Sequence, residues 1–141
     1  MRALTIRQPW ADAIAHGTKR TENRSWATPS KHLGTRILIH AAAATDKKAV
    51  LPPEANVGRA FGRIPIAQRS AIIAVATLTE CHFDKGMQCC NPWGMDGYFH
   101  WTLTDVTALP EPVPAKGALG FWAPTEEIVN AALRQETGVA W

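Results

Sequence analysis

The chain has 141 residues, of which 46% are hydrophobic and 19% charged, with a formal net charge of +3. This length suits one domain with its own core, and the composition argues against a disordered chain. Uncharged stretches such as residues 70–79 are too short to cross a bilayer, and the N-terminus lacks the apolar run of a signal peptide. We therefore expect an intracellular, cytoplasmic protein that has no membrane partner.

The first half of the chain predicts a strand, a helix and further strands. Residues 3–7 suit a strand, and Pro9 suits the first turn of the next helix because its missing N–H needs no partner there. Gly17 predicts the end of that helix through a left-handed cap. One face of the helix is apolar and should pack on the core, and it consists of Trp10, Ala13 and Ile14.

The segment after Gly17 is charged and polar before it becomes apolar. Residues 18–24 predict a turn that leads into a strand, and the β-branched residues of 35–40 predict a stronger strand. Thr45 or Asp46 would cap a second helix, which the prolines at 52 and 53 interrupt. We treat residues 45–69 as a helical or irregular insertion, within which 56–65 shows no clear pattern.

The second half of the chain predicts a central strand, a long loop and a second long strand. Residues 70–79 are almost entirely apolar and predict the central strand, and residues 98–109 predict another strand. Residues 110–114 contain three prolines, which should keep them out of any central ladder because proline has no N–H to donate. In the loop over 81–97, Trp93 is predicted to form a flap.

A short strand over 117–122 and a helix complete the chain. Thr125 is a suitable N-cap, the acidic residues that follow it favour a helix N-terminus, and residues 126–136 carry an apolar stripe. The C-terminal segment 123–141 is therefore expected to be helical. Five or six strands with flanking helices indicate an α+β fold in one domain over residues 1–141, a small mixed β-barrel or curled sheet.

The charges are divided unevenly along the chain. Residues 1–70 hold twelve of the fifteen Lys and Arg and four of the twelve Asp and Glu, a balance of +8, and residues 71–141 carry −5. A basic face suits a polyanion such as RNA. The alternative is that these residues only solvate one side of the domain, and charge alone does not decide between the two.

The long loop also contains a cluster of cysteine and histidine. It comprises Cys81, His82, Cys89 and Cys90. An odd number of cysteines without a signal peptide argues against a disulfide framework. Zinc ligands are usually paired about two to four residues apart, which adjacent cysteines fit poorly. We therefore predict no metal and no cofactor, with a zinc cluster as the less favoured alternative.

One segment resembles a known family. Residues 17–24 read G-T-K-R-T-E-N-R, which fits the pattern G-x-K-x-x-E-x-R; Gln-Pro-Trp-Ala precedes it at 8–11 and Arg-Ile-Leu-Ile-His-Ala follows at 36–41. This order resembles the ASCH domain family, whose fold is similar to the PUA domain, an RNA-binding β-barrel. The resemblance is dense over residues 3–42 and looser over 70–81 and 98–122.

The resemblance implies a cleft beside the barrel, lined by Lys19 and Glu22, and a nucleic-acid or nucleotide ligand. Some members of the family are implied to be coactivator modules, others to hydrolyse N4-acetylcytidine and others to cut RNA, and the fold alone does not choose among them. Residues around the motif complete the predicted ligand-binding set, which is Arg7, Gln8, Trp10, Arg24, Trp26 and Arg36.

The two motif residues each admit more than one role. As a cation Lys19 can hold a phosphate or an oxyanion, and with its pKa lowered by burial it can act as a base or nucleophile. Glu22 can accept a proton or bind a base edge, or simply form an ion pair with Lys19 or Arg24. On a regular strand the two would face opposite sides, so they share a cleft only if the chain turns between them.

We predict a domain that binds single-stranded RNA or a modified nucleoside. If the domain is an enzyme, the predicted activity is RNA cleavage without a metal ion. In that chemistry Glu22 or His40 would be the base, and Lys19 and Arg24 would supply the cation. On the binding surface, Arg7 and Arg36 would hold phosphates and Trp26 would stack on a base.

Two alternatives come from other classes of protein. An amidohydrolase acting on an N4-acylated cytidine resembles a K-x-x-T arrangement with a later Glu. Here Glu22 replaces the Thr, and Glu80 is the candidate for the later Glu. A non-catalytic protein-interaction module is the second alternative.

Overall fold

The computed structural model describes residues 1–57, 68–87 and 89–137, and its strands and helices follow the predicted order closely. The elements are β1 (Ala3–Gln8), α1 (Trp10–Ala15), β2 (Thr21–Arg24), β3 (Thr35–Thr45), β4 (Ala71–Phe83), β5 (Phe99–Pro114), β6 (Phe121–Trp122) and α2 (Glu126–Thr137). Single 3-10 turns occupy Ser30–His32 and Pro53–Ala55.

The six strands form one curled sheet in the order β2-β5-β4-β3-β1-β6. The β1–β3 pair is parallel and the other pairs are antiparallel. Although three strands separate β2 from β1 in this order, Arg24 Nη2 donates to the carbonyl oxygen of Thr5 at 2.7 Å. The sheet therefore curls until these two strands approach each other, which confirms a small barrel-like α+β fold.

Both faces of the sheet are covered. The largest side chains of one core cluster are Leu4, Ile6, Ile14, Ile37, Ile39, Ile73, Leu78, Trp101 and Leu103. A second cluster packs against α2 and includes Ala3, Leu38, Ile72, Val75, Leu109 and Ala132. Because β3 and β4 are buried on both faces, they read as unbroken apolar runs rather than as alternating patterns.

The predicted first helix is confirmed, but Gly17 has a different role from the expected one. Its φ is not positive, so it does not form a left-handed cap. A Cβ at this position would lie 2.1 Å from the carbonyl oxygen of Ala55. Glycine is needed at this position because the Pro53–Ala55 turn packs directly on the backbone after α1.

The helix expected to begin at Thr45 or Asp46 is wrong for the described part of that segment. β3 continues through Thr45, which pairs with Gln8 of β1. The Asp46 carboxylate accepts a hydrogen bond from Trp10 Nε1 at 3.0 Å and one from the Lys48 N–H at 3.1 Å. Thr45 is therefore held in the sheet and Asp46 is bound to a distant indole, and neither residue caps a helix. The expectation for 56–65 falls outside the described residues beyond Val57.

Residues 110–114 are extended and continue β5, which runs to Pro114 and pairs there with Ala71, so this strand is longer than the predicted 98–109. β2 pairs with β5 only as far as Thr102, so the proline-rich end has a strand on one side alone. On its other side the Glu111 N–H donates to Gln135 of α2 at 2.9 Å. Prolines are tolerated at such an edge because no second strand needs their N–H.

The remaining elements differ mainly in length. β4 extends to Phe83, so the long loop begins later than expected, and the last strand is reduced to Phe121–Trp122. Thr125 caps α2 as predicted, since its hydroxyl accepts from the Ile128 N–H at 3.4 Å, and residues 138–141 lie outside the described part. Among the described residues, no helix is long and apolar enough to span a membrane.

Candidate functional site

Two adjoining clefts, each of about 760 Å³, open on either side of β2 and the end of β1. The first cleft lies against His40 and the segment 116–120. The second lies against Lys19, residues 46–52 and the loop that carries Trp93. Four residues line both clefts, namely Arg7, Trp10, Glu22 and Asn23. Two residues of the predicted motif, Glu22 and Asn23, therefore lie at the boundary between the two clefts.

Glu22 and Arg24 point to the same side of β2 because they are two residues apart. The Glu22 Oε2 and Arg24 Nε atoms are both buried, and neither has a hydrogen-bond partner within residues 1–57, 68–87 and 89–137. Arg24 is anchored through its Nη2 bond to Thr5. Both residues line the first cleft, and each holds one buried atom, an acceptor in Glu22 and a donor in Arg24, that the described protein groups leave unsatisfied.

Lys19 lies just before β2, with only 3% of its surface exposed. Its Nζ donates to the carbonyl oxygen of Thr21 and lies 5.7 Å from the Trp10 ring and 5.3 Å from the Trp93 ring. Burial lowers the pKa of Lys19, and the nearby Glu22 charge opposes that shift. Because Lys19 precedes the regular strand, it lines the second cleft together with Glu22.

Asn23 has a positioning role that the sequence analysis missed. Its Nδ2 donates to the carbonyl oxygen of Trp93 at 2.9 Å, and its Oδ1 accepts from the Met95 N–H at 2.9 Å. These two bonds fasten the long loop onto β2 and place Trp93 over Lys19. The only sequence signal was the Asn in a variable position of the motif, which carries no long-range information.

His40 lines the first cleft, but both of its ring nitrogens are engaged. Nε2 lies 2.7 Å from the carbonyl oxygen of Ala115, so it must carry the proton and donate. Nδ1 lies 3.2 Å from the Thr5 hydroxyl, which in turn accepts from Trp122 Nε1 at 2.8 Å. Burial lowers the pKa of His40, so the neutral ring is a structural part of the wall.

Four predicted site residues lie elsewhere and line neither cleft. Gln8 is buried and caps α1 by accepting from the Asp12 N–H at 2.9 Å. Trp26 packs edge-on against the core Trp101, with their ring centroids 4.8 Å apart. The structure therefore places both side chains in supporting positions.

Arg36 and Glu80 are the other two predicted site residues that line neither cleft. The Arg36 guanidinium forms an ion pair with Glu136 of α2 and donates to Thr77 Oγ1 at 3.1 Å. The Glu80 carboxylate accepts from His82 Nδ1 at 2.7 Å. Glu80 is therefore not placed as the later Glu of an amidohydrolase site.

Arg7 and Trp10 are the predicted binding residues that do line both clefts. Trp10 also packs against the core, as its helical position predicted. Arg7 is exposed at the mouth, and Lys48 and Lys116 are exposed on the walls of the second and first clefts. The structure thus joins Arg7, Trp10, Lys19, Glu22, Arg24 and His40 around one pair of cavities.

Comparison with known families finds the ASCH domain over residues 4–113. An ASCH protein of known crystal structure from Zymomonas mobilis is similar, at 15% identity and a TM-score of 0.56 over 94% of this chain and 92% of that one. Two single-substitution variants of it are similar at 14% identity, with TM-scores of 0.59 and 0.60; 94% of this chain is covered in both, against 95% and 93% of theirs. At this identity the likeness shows the fold alone. The sequence matches no curated protein.

Proposed function

Because the chain belongs to the ASCH domain family, we propose that it binds a nucleotide, as a unit of single-stranded RNA or as a free derivative, in the paired clefts. The base would enter the first cleft with its edge toward Glu22 and Arg24 and its ring beside Trp10, and the phosphate would lie toward the basic mouth. An open cleft of this size suits a ligand-binding domain better than a protein-interaction module, whose cleft would be filled.

The unsatisfied Glu22 Oε2 and Arg24 Nε carry this proposal. A buried polar group without a partner costs about 1–3 kcal/mol, and more when it is charged, so a ligand that supplies both partners gains that free energy on binding. The edge of a nucleobase offers a donor beside an acceptor, as in the amino group and ring nitrogen of cytosine or adenine. The strand spacing that puts both side chains on one face therefore favours recognition of a base edge.

The charged and aromatic surroundings support the same ligand. Arg7, Lys48 and Lys116 are exposed cations on the cleft walls, where a phosphate would remain partly hydrated. Trp10 lines both clefts, so an indole face that does not hold Lys19 would be available for stacking. A base that is unpaired can use such faces, whereas a base paired in a duplex cannot.

Binding of nucleoside monophosphates and short single-stranded RNAs, measured by calorimetry, tests the proposal. We expect Glu22→Gln to weaken binding of the preferred ligand about 10-fold or more, since a charged acceptor becomes a neutral amide that presents donors. Glu111→Gln is the matched control, because it makes the same chemical change on the exposed far end of β5.

The proposal fails if the wild-type domain binds neither class of ligand at millimolar concentration. It also fails if Glu22→Gln and Glu111→Gln bind equally well, because the carboxylate would then play no part in recognition. We propose binding rather than RNA cleavage because both ring nitrogens of His40, one of the two predicted bases, are engaged.

Hydrolysis of an N4-acylated cytidine is a second candidate, favoured by the lowered pKa of the buried Lys19. A lowered pKa increases the neutral amine, which can take a proton from an attacking water. Incubation with N4-acetylcytidine should then release acetate, and Lys19→Ala should abolish that release. Absence of turnover at millimolar substrate, with the domain shown to be folded, rejects this candidate.

A further inference from the structure

Four metal-ligating side chains gather outside both clefts, where β4 and β5 meet the long loop. His82 of β4 is paired in register with His100 of β5, and Cys89 and Cys90 of the loop lie against them. One ligand atom from each residue lies within 4.8 Å of all the others. Cys81, which the sequence grouped with this cluster, is not part of it, and His100, which follows the cysteine pair by ten residues, takes its place.

The distances between nitrogen and sulfur match a shared metal ion. His82 Nε2 lies 3.1 Å from Cys89 Sγ and 3.7 Å from Cys90 Sγ, and His100 Nδ1 lies 3.5 Å from Cys89 Sγ. In a tetrahedral zinc site with Zn–S near 2.3 Å and Zn–N near 2.0 Å, neighbouring nitrogen and sulfur ligands are about 3.5 Å apart. The three separations lie around that value.

The outer hydrogen bonds turn the lone pairs of both imidazoles toward the sulfurs. The His82 Nδ1–H donates to Glu80 at 2.7 Å, which leaves Nε2 free to act as a ligand. The His100 Nε2–H donates to the carbonyl oxygen of Met95 at 2.8 Å, with the buried Asp84 Oδ2 3.6 Å away, which leaves Nδ1. A carboxylate or carbonyl behind each histidine is the usual outer shell of a zinc site.

The two cysteine sulfurs are in contact, so a disulfide is the competing interpretation. Their Cα atoms are 3.8 Å apart, because the residues are adjacent. Disulfides usually join Cα atoms about 4.4–6.8 Å apart, so neighbouring residues are poor partners. A disulfide would also offer the two histidine lone pairs neither a proton donor nor a metal ion, whereas a metal ion would use all four groups.

We propose that His82, Cys89, Cys90 and His100 bind one Zn²⁺ in a closed tetrahedral site. Two neutral imidazoles and two thiolates complete four-coordination, and the two thiol protons are released to solvent on binding. Because no position is left for water, the ion has a structural role. This site is independent of the nucleotide-binding proposal.

The site would fix the loop that forms one wall of the second cleft. The Trp93 and Gly94 N–H groups donate to the carbonyl oxygen of Cys90 at 2.9 and 2.8 Å. A Cβ on Gly94 would lie 2.7 Å from the His100 ring, so the loop passes directly over a ligand. Zinc would therefore hold the strand ends and the Trp93 segment together in a part of the chain with little regular structure.

Zinc content of protein purified in reductant without chelator tests the proposal. We expect about one zinc ion per chain in the wild type and less than about a tenth in Cys89→Ser and Cys90→Ser. Cys81→Ser is the matched control, because it makes the same change on β4 outside the cluster and should retain the metal. Co²⁺ bound in place of zinc should give the visible spectrum of a tetrahedral thiolate site.

Glu80→Ala provides a variant that leaves all four ligands in place. Loss of the carboxylate behind His82 should weaken zinc binding about 10- to 100-fold in a chelator competition, with Glu80→Gln between it and the wild type. The proposal is overturned if folded, reduced wild-type protein holds less than about a tenth of an ion and gives no thiolate–Co²⁺ spectrum. It is equally overturned if Cys81→Ser loses zinc as completely as Cys89→Ser does.

Discussion

At the scale of single residues, the candidate site depends on charged groups that are largely removed from water. Lys19 keeps its ammonium between two indole faces and one backbone carbonyl, which compensates in part for lost hydration. Glu22 and Arg24 each retain an unsatisfied buried atom. Folded proteins rarely leave such atoms without a role, because each one costs stability. Two of the three such atoms in the described residues belong to Glu22 and Arg24, which line the first cleft, and the third is Asp84 Oδ2.

His40 predicts a dependence of stability on pH. Its pKa is lowered from the ordinary value of 6.5, so below about that pH the unfolded chain takes up a proton that the folded chain does not yet accept. The free energy of unfolding should therefore fall as pH drops below 6.5 toward the lowered pKa. His40→Gln should reduce this fall, as measured by urea denaturation across that range.

His16→Gln is the control for that measurement, because it changes the same residue type at the end of α1. Any acid sensitivity of the cysteine–histidine cluster is common to both variants and to the wild type. An unchanged pH dependence in His40→Gln would show that the buried ring does not remain neutral.

At the scale of elements, Arg36 shows how a basic strand residue can serve the fold instead of a ligand. Its guanidinium joins β3 to α2 through Glu136 and to β4 through Thr77. Arg36→Ala should lower the free energy of unfolding by about 1–2 kcal/mol, since it removes a partly exposed ion pair and a charged hydrogen bond. It should leave nucleotide affinity within about twofold, because Arg36 lines neither cleft.

Arg7→Ala is the complementary variant, and we expect it to weaken binding without a comparable loss of stability. Chemical denaturation and calorimetry on the two variants measure both quantities. If Arg36→Ala weakened binding as much as Arg7→Ala, the phosphate path would have to extend across β3, contrary to this assignment.

At the scale of the whole molecule, several of the described basic residues from the first half of the chain are engaged within the fold. Arg20 donates to the carbonyl oxygens of Ile14 and Gly17 at the end of α1, and Arg24 and Arg36 are engaged within the fold. The balance of +8 therefore overstates the surface available to phosphates. The exposed cations on the cleft walls are Arg7, Lys48 and Lys116.

These three cations predict the salt dependence of RNA binding. If each contacts one phosphate, the logarithm of the association constant should fall with the logarithm of salt concentration with a slope of about −2. Replacing any one of them by alanine should reduce the slope by about 0.7. Titrations of a short single-stranded RNA at several salt concentrations measure this. A flat response would instead indicate a neutral nucleoside as the ligand.

The sequence by itself determined the fold class and most elements, because these depend on local periodicity and on caps. The runs at 35–40 and 70–79 and the stripe of α2 are apolar in patterns that allow few other structures. The eight-residue motif likewise located Lys19 and Glu22. Local signals were misleading at Thr45, where a strand partner distant in sequence decided the outcome, and they placed the end of β5 too early, at residue 109.

Only the tertiary structure decided which groups meet. The curl of the sheet brings Arg24 to Thr5, the β4–β5 register brings His82 opposite His100, and Asn23 fixes the distant loop. Each of these contacts joins residues at least eighteen positions apart, so their meeting depends on chain closure and strand register rather than on any local preference. For this reason the motif could be found in the sequence, but the contact of Arg24 with Thr5 and the four-ligand cluster could not.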